Sequence, residues 1–422
     1  MGENRNQSPI GKESLLAQVL DRKNLMRALK QVKRNKGAAG VDGMTVEELP
    51  EYLTYHWSEI KSQLLNGHYR PQAVKRVEIP KSDGRKRKLG IPTVVDRVIQ
   101  QAIAQVLAPI WEPHFHPHSY GFRPNCNAHQ AIYQVQSEIV QGRKWVVDLD
   151  LDAFFDRVNH DRLIQTLKSR IEDKALLRLI NRYLKSGIQR NGHREKTIQG
   201  VPQGSPLSPL LSNIVLNELD WELEARGHAF VRYADDCQIY VSSQRAGERV
   251  KQSISHFIEQ TLRLKVNVRK SAVARPWERK FLGFTFSPRR GHKIKVSEPA
   301  LEKLKATVRT LCRRTRGHSI SQIIAELRKS LLGWKAYFGI AEIKSPQRDM
   351  EKWIRRKLRC YLWKQWGRSG YRKLRRLGVK RQLAWNTSKS AHGPWRLSKS
   401  PALYYALTNR YFSDLGLPTL VA

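Results

Sequence analysis

The sequence predicts an α+β fold, and three observations predict it. Short apolar runs of strand length alternate with helical stretches through the first two thirds of the chain. From residue 296 onward the apolar residues repeat at helical spacing. A net charge of +40 over 422 residues ties this mixed fold to a polyanionic partner.

The elements follow in order. Residues 13–20 and 22–34 read as two short helices, ending at RNKGAAGVDG. That segment holds three glycines and two basic residues, which predicts a mobile basic loop over 34–43. Residues 74–80 and 87–92 read as strands around Ser82-Asp83-Gly84, and a helix follows from about 94 to 110. Residues 144–152 form a strand in which Trp145, Val147, Leu149 and Leu151 share one face. Val146, Asp148, Asp150 and Asp152 share the other. Residues 230–233 and 237–241 are apolar runs on either side of Ala234-Asp235-Asp236, a hairpin pattern. Residues 280–286 read as another strand. Beyond them, Ser297 is placed to cap a helix carrying Leu301, Leu304, Val308 and Leu311. Ser319 with Gln322 predicts a capping box ahead of Ile320, Ile323, Ile324, Leu327 and Leu331. A third helical stretch covers 350–366.

Composition narrows the function. With 11 Trp, 14 Tyr and 11 Phe, the chain is too aromatic for a short histone-like binder. Residues 301–422 hold 28 Lys and Arg against 6 Asp and Glu, a net of +22. Trp385, Trp395, Tyr404 and Tyr405 punctuate this basic tail and predict folded structure rather than disorder. Cys126, Cys237, Cys312 and Cys360 lack metal-ligand spacing and read as free thiols. No apolar signal core opens the chain and no apolar run is long enough to span a bilayer. The expectation is a soluble cytoplasmic protein without a membrane partner.

Acids gather twice in this basic chain, at VVDLDLDAFFD (146–156) and at YADD (233–236). Clustered like charges raise one another's pKa, and a pair of divalent cations is the natural compensation. Two-metal sites clamp the attacking and leaving oxygens of an in-line displacement. On strand alternation alone, Asp148, Asp150 and Asp152 are equal candidates in the first cluster.

These segments resemble reverse transcriptases. Tyr233-Ala234-Asp235-Asp236 is similar to their YxDD box and VVDLDLDAFFDRVNHDRL to their first palm motif. QGVPQGSPLSPLLSNIVLNELD (199–220) is similar to the PQG segment and KFLGF (280–284) to the strand that grips the primer. RNKGAAGVDG, RKRKLGIPTVVDRVIQQAI, HSYGFRP and LLGWKAYF resemble the group II intron class, the maturases, and the absence of an HNH-like Cys/His cluster resembles the compact endonuclease-lacking bacterial group IIC type. The resemblance implies a right-hand polymerase fold. An N-terminal extension (1–45) would precede fingers and an antiparallel palm (46–295). An α-helical thumb or X domain (296–368) and a basic DNA-binding region (369–422) would follow.

The resemblance also implies roles. Asp150, by its spacing to Phe155, joins Asp235 and Asp236 as the catalytic carboxylates. Together with Leu151, which would supply a backbone carbonyl or line the site, they would hold two Mg²⁺ ions, replaceable by Mn²⁺. Phe155 is the steric gate against a 2′-hydroxyl, Gln203 lies against the incoming dNTP, Lys81 and Arg87 hold its triphosphate, and Lys270 is a basic residue behind the site. Arg34, Lys36, Arg123 and Tyr233 are implied nucleic-acid contacts. Two positions depart from the family: Ser205 stands where a second glycine is common, and Asp152 where Lys is common. The implied activity is RNA-directed DNA synthesis on an RNA template with a DNA or RNA primer. Binding of a group II intron RNA for splicing and of target DNA for retrohoming would accompany it, with association with the bacterial nucleoid during mobilisation. A domesticated relative in DNA repair or phage defence and a splicing-only maturase are the alternatives.

Overall fold

A computed structural model describes residues 14–80, 86–190, 192–313 and 315–421. The chain divides into two compact units, Met1–Ala274 and Arg275–Ala422. The helical stretches from 296 and the basic tail from 369 both fall in the second unit.

The first unit is α+β. Its strands are β1 (Val74–Pro80), β2 (Lys86–Ile91), β3 (Trp145–Leu149), β4 (Ile188–Arg190), β5 (His193–Glu195), β6 (Ala229–Tyr233), β7 (Asp236–Val241) and β8 (Ala272–Ala274). Among the described residues they form two four-stranded sheets, ordered β2-β1-β4-β5 and β6-β7-β3-β8. The second sheet is antiparallel throughout. In the first, β1 and β4 run parallel. The helix Gln244–Gln260 packs on β3, β7 and β8, while the helices Ala128–Val140 and Ser208–Ala225 pack on β6. Val146, Val147 and Leu149 of β3 are all buried, as a central strand covered by helices requires. The helix Val94–Trp111 is buried along most of its length and packs against the helices Leu15–Val19 and Arg22–Asn35. Thr93 caps it by accepting from the Asp96 amide, and the buried Asp96 carboxylate accepts from Tyr69 Oη and Thr93 Oγ1, both at 2.8 Å.

Several expectations change. The loop over 34–43 is docked rather than mobile: a Cβ on Gly37 would stand 2.7 Å from Arg97 Nη1, and one on Gly40 would stand 2.8 Å from Thr93 N. Arg97 fixes the loop by donating to the carbonyls of Ala38 and Pro92. The strand read over 144–152 ends at Leu149, and beyond it only Leu151 makes a bridge, to Val266. The helix Leu49–Leu65 and the hairpin β4–β5 are elements that the sequence reading does not contain.

The second unit opens with β9 (Phe284–Phe286) and β10 (Ile294–Val296), an antiparallel pair. Residues 280–286 are not one strand, because Leu282 and Gly283 both take positive φ, 51° and 84°, and turn the chain. A Cβ on Gly283 would press the Phe338 ring at 3.1 Å. Three long helices follow, Glu298–Leu311, Ile320–Phe338 and Ser345–Trp366. The capping box of Ser319 and Gln322 is formed. Ser297 occupies the N-cap position but its hydroxyl makes no cap bond. The tail folds into five short helices that bury Leu374, Leu403, Leu407 and Phe412. Glu351 Oε1 ties its end down, accepting from the amides of Leu420 (2.6 Å) and Val421 (3.1 Å).

One buried ion pair sets the β6–β7 hairpin. Arg232, inside β6, and Asp220, on the helix Ser208–Ala225, both have fully buried side chains. The guanidinium meets both carboxylate oxygens, Nε to Oδ1 at 2.7 Å and Nη2 to Oδ2 at 2.5 Å. Its Nη1 donates to Asn213 Oδ1 (3.0 Å) and to the carbonyl of Ala234 (2.9 Å). Asn213 Nδ2 in turn donates to the carbonyl of Gly121 (2.8 Å). A bidentate pair with every neighbour satisfied is the geometry in which burying two charges is tolerated, and removing one partner strands the other. Asp220→Asn is expected to lower the stability of the first unit by about 3–5 kcal/mol, read from its urea transition; a loss below about 1 kcal/mol would refute the anchoring role.

Candidate active site

The site grows from two turns at one end of the antiparallel sheet. The first follows β3. Asp150 leaves the strand with its amide donating to Ser271 Oγ (3.0 Å) and its carbonyl accepting from the Asn267 amide (2.8 Å). Its carboxylate receives Lys270 Nζ at 3.0 Å and Asn267 Nδ2 at 3.2 Å. Lys270, expected as a basic residue behind the site, therefore lies directly on Asp150. Leu151 is buried beside it.

The second turn joins β6 to β7. Tyr233 and Asp236 are the last pair in register, which leaves Ala234 and Asp235 to make the turn. Ala234 takes φ 57°, an uncommon conformation for a residue with a Cβ. The Arg232 guanidinium on its carbonyl holds it there. Gly121 closes the other side, since a Cβ on it would stand 2.3 Å from Ala234 N. The HSYGFRP segment thus backs the YADD turn by backbone approach.

The two turns bring their acids together. Asp236 has its carboxyl pushed up to about 6, first by desolvation, despite the solvent-facing edge of the residue, and then by Asp235, Asp148 and Asp150; Lys270 opposes the shift. Asp148 belongs to this group but lies inside β3, opposite Gln238, whose Nε2 donates to it at 3.3 Å and whose Oε1 accepts from Tyr240 Oη at 2.6 Å. Asp152 is turned away and pairs with Arg157 at 3.0 Å. Among the described residues no three His, Cys, Asp or Glu side chains already converge as a metal cage. The donor chemistry nevertheless fits hard divalent cations: the acids are all-oxygen donors, and they crowd one another enough to raise the Asp236 pKa.

Three residues after Asp150 in the chain, a cleft of about 430 Å³ opens. Its lining includes Arg76, Lys88, Ala153, Phe155, Asp156 and Gln203. Phe155 and Gln203 thus line one cleft. The PQG segment is clamped to β2, with Gly90 N donating to the Gln203 carbonyl at 2.8 Å. A Cβ on Gly90 would press Pro202 Cβ at 3.2 Å. Ser205 is buried and points into the protein, with its hydroxyl 2.8 Å from Ser208 Oγ, so its hydroxymethyl group does not crowd the cleft.

Other site expectations fare differently. Lys81 lies outside the described residues. Arg87 is exposed on β2, opposite Ile79 and one position out of phase with the cleft-lining Lys88. Arg76 and Lys88, which the sequence reading misses, supply positive charge to the cleft. Alternation along β1 and β2 carries the signal, because Arg76 pairs with Gly90, two residues from Lys88 on the same face. Arg34 and Lys36 are exposed at the end of the helix Arg22–Asn35. Arg123, expected to touch nucleic acid, is turned into the protein: it donates to Glu112 and to the carbonyls of His116 and Ser119, over the Phe115 ring. Arg232, Asp220 and Asn213 are also missed; a charged residue in the otherwise apolar AFVRY run is the signal for such a pair.

Comparison with known proteins identifies the domains that contain these segments. Residues 79–286 match the family model "Reverse transcriptase (RNA-dependent DNA polymerase)", and residues 301–378 match "Group II intron, maturase-specific domain". The chain is 33% identical to protein YkfC of Escherichia coli over 302 residues, covering 62% of this chain and 79% of that protein. It is 38% identical to the group II intron-encoded protein LtrA of Lactococcus lactis over 194 residues, 46% of this chain and 32% of LtrA. It is 30% identical to the putative COX1/OXI3 intron 2 protein of Saccharomyces cerevisiae, over 53% of this chain and 26% of that protein. The match thus spans about a third of LtrA and a quarter of the yeast protein. An RNA-directed DNA polymerase domain and a maturase-specific domain stand in succession here, and the chain belongs to the group II intron reverse transcriptase and maturase family.

Proposed function

We propose that this chain copies an RNA template into DNA at the site built by Asp150, Asp235 and Asp236, and that it binds a group II intron RNA to assist splicing and retrohoming. The observation that carries the catalytic part is the meeting of the carboxylates of the two acidic turns, which raises the Asp236 pKa, with a cleft holding Phe155, Gln203, Arg76 and Lys88 beginning at Ala153, three residues after Asp150. The three carboxylates and the Leu151 carbonyl would hold two Mg²⁺ ions, for which Mn²⁺ substitutes. When bound, such ions supply Lewis acidity at the primer 3′-hydroxyl and neutralise charge on the leaving pyrophosphate.

The remaining work falls to the chain itself. Lys270 and Asn267 hold the Asp150 carboxylate from both oxygens and fix its direction. The Arg232 network fixes the turn that carries Asp235. Lys88 and Arg76 give the cleft the positive charge that a triphosphate requires. Phe155 stands where bulk excludes a 2′-hydroxyl. Tyr233, beside the turn, faces the primer end.

The basic second unit supports the RNA- and DNA-binding part. Its aromatic residues are partly engaged: Arg356 lies 3.7 Å and Lys357 4.7 Å from the Trp395 ring centre. Trp385 is exposed but carries Lys389 Nζ over its ring at 4.9 Å, whereas Tyr405 stays exposed and is available for stacking on unpaired bases. In the first unit, Arg34 and Lys36 present two exposed cations at the end of the helix Arg22–Asn35. Among the described residues no helix is long and apolar enough to cross a membrane; with a bacterial intron RNA and target DNA as partners, the nucleoid is the proposed place of work.

Two outcomes test this reading. Asp235→Ala is expected to abolish primer extension, by at least about a thousandfold, while RNA binding in a filter assay persists; retained extension would overturn the site. Acid is expected to weaken cation binding, because Asp236 gains a proton as the pH falls through about 6. Mn²⁺ affinity, read by electron paramagnetic resonance, should drop roughly tenfold between about pH 7.5 and about pH 5. Asp236→Asn should remove that step, and a flat profile in the unsubstituted protein would contradict the clustered-carboxylate geometry.

A further inference from the structure

We infer that Arg76 is a positioning residue for sugar selection, acting through Asp156 on the neighbouring Phe155. The inference rests on the reading of Phe155 as the gate. Phe155 sits on Phe154–Arg157, a single helical turn of four residues. So short a helix has almost no internal hydrogen bonding of its own, and contacts from outside must hold it. Three are present. The PQG segment grips its backbone, with Val201 N donating to the Phe155 carbonyl at 2.6 Å and Gly200 N to the Val158 carbonyl at 2.7 Å. Phe154, the first residue of the turn, anchors it by its own burial and meets the Phe155 ring edge-on at 5.1 Å between centroids. From the side, Arg76 Nη1 of β1 reaches Asp156 Oδ1 at 3.5 Å.

That third contact differs from the others because it crosses the cleft wall. Arg76 and Asp156 both line the cleft, and the pair ties the finger sheet to the turn that carries the gate. The Arg76 side chain is only 16% exposed, so its charge is screened less than that of a surface pair, although Asp156 at 46% remains open to water. Asp156 N donates to the carbonyl of Ala153, a residue at φ 49°, so the turn begins in an uncommon backbone conformation. A turn held by so few contacts shifts when one is lost. A shift of the Phe155 ring by a fraction of an ångström alters the room left for a 2′-hydroxyl, while a phosphate-binding role for Arg76 would affect both sugars alike.

The test is single-nucleotide incorporation by the full chain on an RNA template with a DNA primer, comparing kcat/KM for a ribonucleotide and its deoxynucleotide. Arg76→Met and Asp156→Asn are each expected to raise the ribonucleotide-to-deoxynucleotide ratio roughly tenfold, with Arg76→Lys retaining more discrimination than Arg76→Met. Thermal melts of each variant show whether the fold is kept, and the Lys variant provides a readout if the Met variant is unstable. An equal fall of kcat/KM for both sugars would make Arg76 a phosphate contact and overturn the inference. Phe155→Val serves as the reference. If it relaxes discrimination and Arg76→Met does not, the inference fails and the gate reading stands; if Phe155→Val also leaves the ratio unchanged, both fail.

Discussion

The Arg232–Asp220 pair is the constraint on which the rest of the site depends. It is a charged pair in a place where charge is expensive, and it is satisfied on every side. From that one guanidinium the chain gains a link from β6 to the helix Ser208–Ala225, a bond to the Ala234 carbonyl, and through Asn213 a hold on Gly121. The YADD turn is therefore fixed by groups that never touch a substrate. Without them, an alanine with positive φ next to adjacent acids would relax away from the geometry that faces Asp150 toward Asp235 and Asp236.

The electrostatics of the molecule run in two opposed scales. Over the whole chain, a net charge of +40 favours any polyanion without regard to sequence. Within a few residues of the YADD turn, the sign reverses and acids crowd until Asp236 is held near pKa 6. Lys270 mediates between the two, pairing with Asp150 from the basic LKVNVRKS segment. A cation-binding centre inside a nucleic-acid-binding surface needs this arrangement, because the same phosphates that the basic surface attracts must be brought to the acids.

Much of this was legible in the sequence, because the signals were local. The two acidic turns, the Ser319–Gln322 capping box and the α+β-to-helical change all depend on neighbours within a few residues. What was not legible depends on distant partners. Loop 34–43 looked mobile from its glycines, yet Arg97 approaches Gly37 and Thr93 approaches Gly40 closely, while Gly43 takes a positive φ of 76°. Residues 280–286 looked like a strand, but Gly283 packs against Phe338 and the chain turns. Arg123 looked like a surface cation until Glu112 and two carbonyls took its guanidinium. Strand alternation left Asp148, Asp150 and Asp152 equivalent. The structure separates them by what each one meets: Gln238 for Asp148, Lys270 and Asn267 for Asp150, Arg157 for Asp152.

The central claim is that two turns, held by a buried ion pair, bring Asp150 and Asp235 to one cation site. Anomalous scattering from a crystal of the full chain with an RNA template, a DNA primer, a non-hydrolysable dNTP and Mn²⁺ measures this directly. The expected result is manganese density in contact with both Asp150 and Asp235, with the nucleotide beside Phe155 and Gln203. Manganese bound by Asp148 or Asp152 instead, or lying away from the YADD turn, would contradict it.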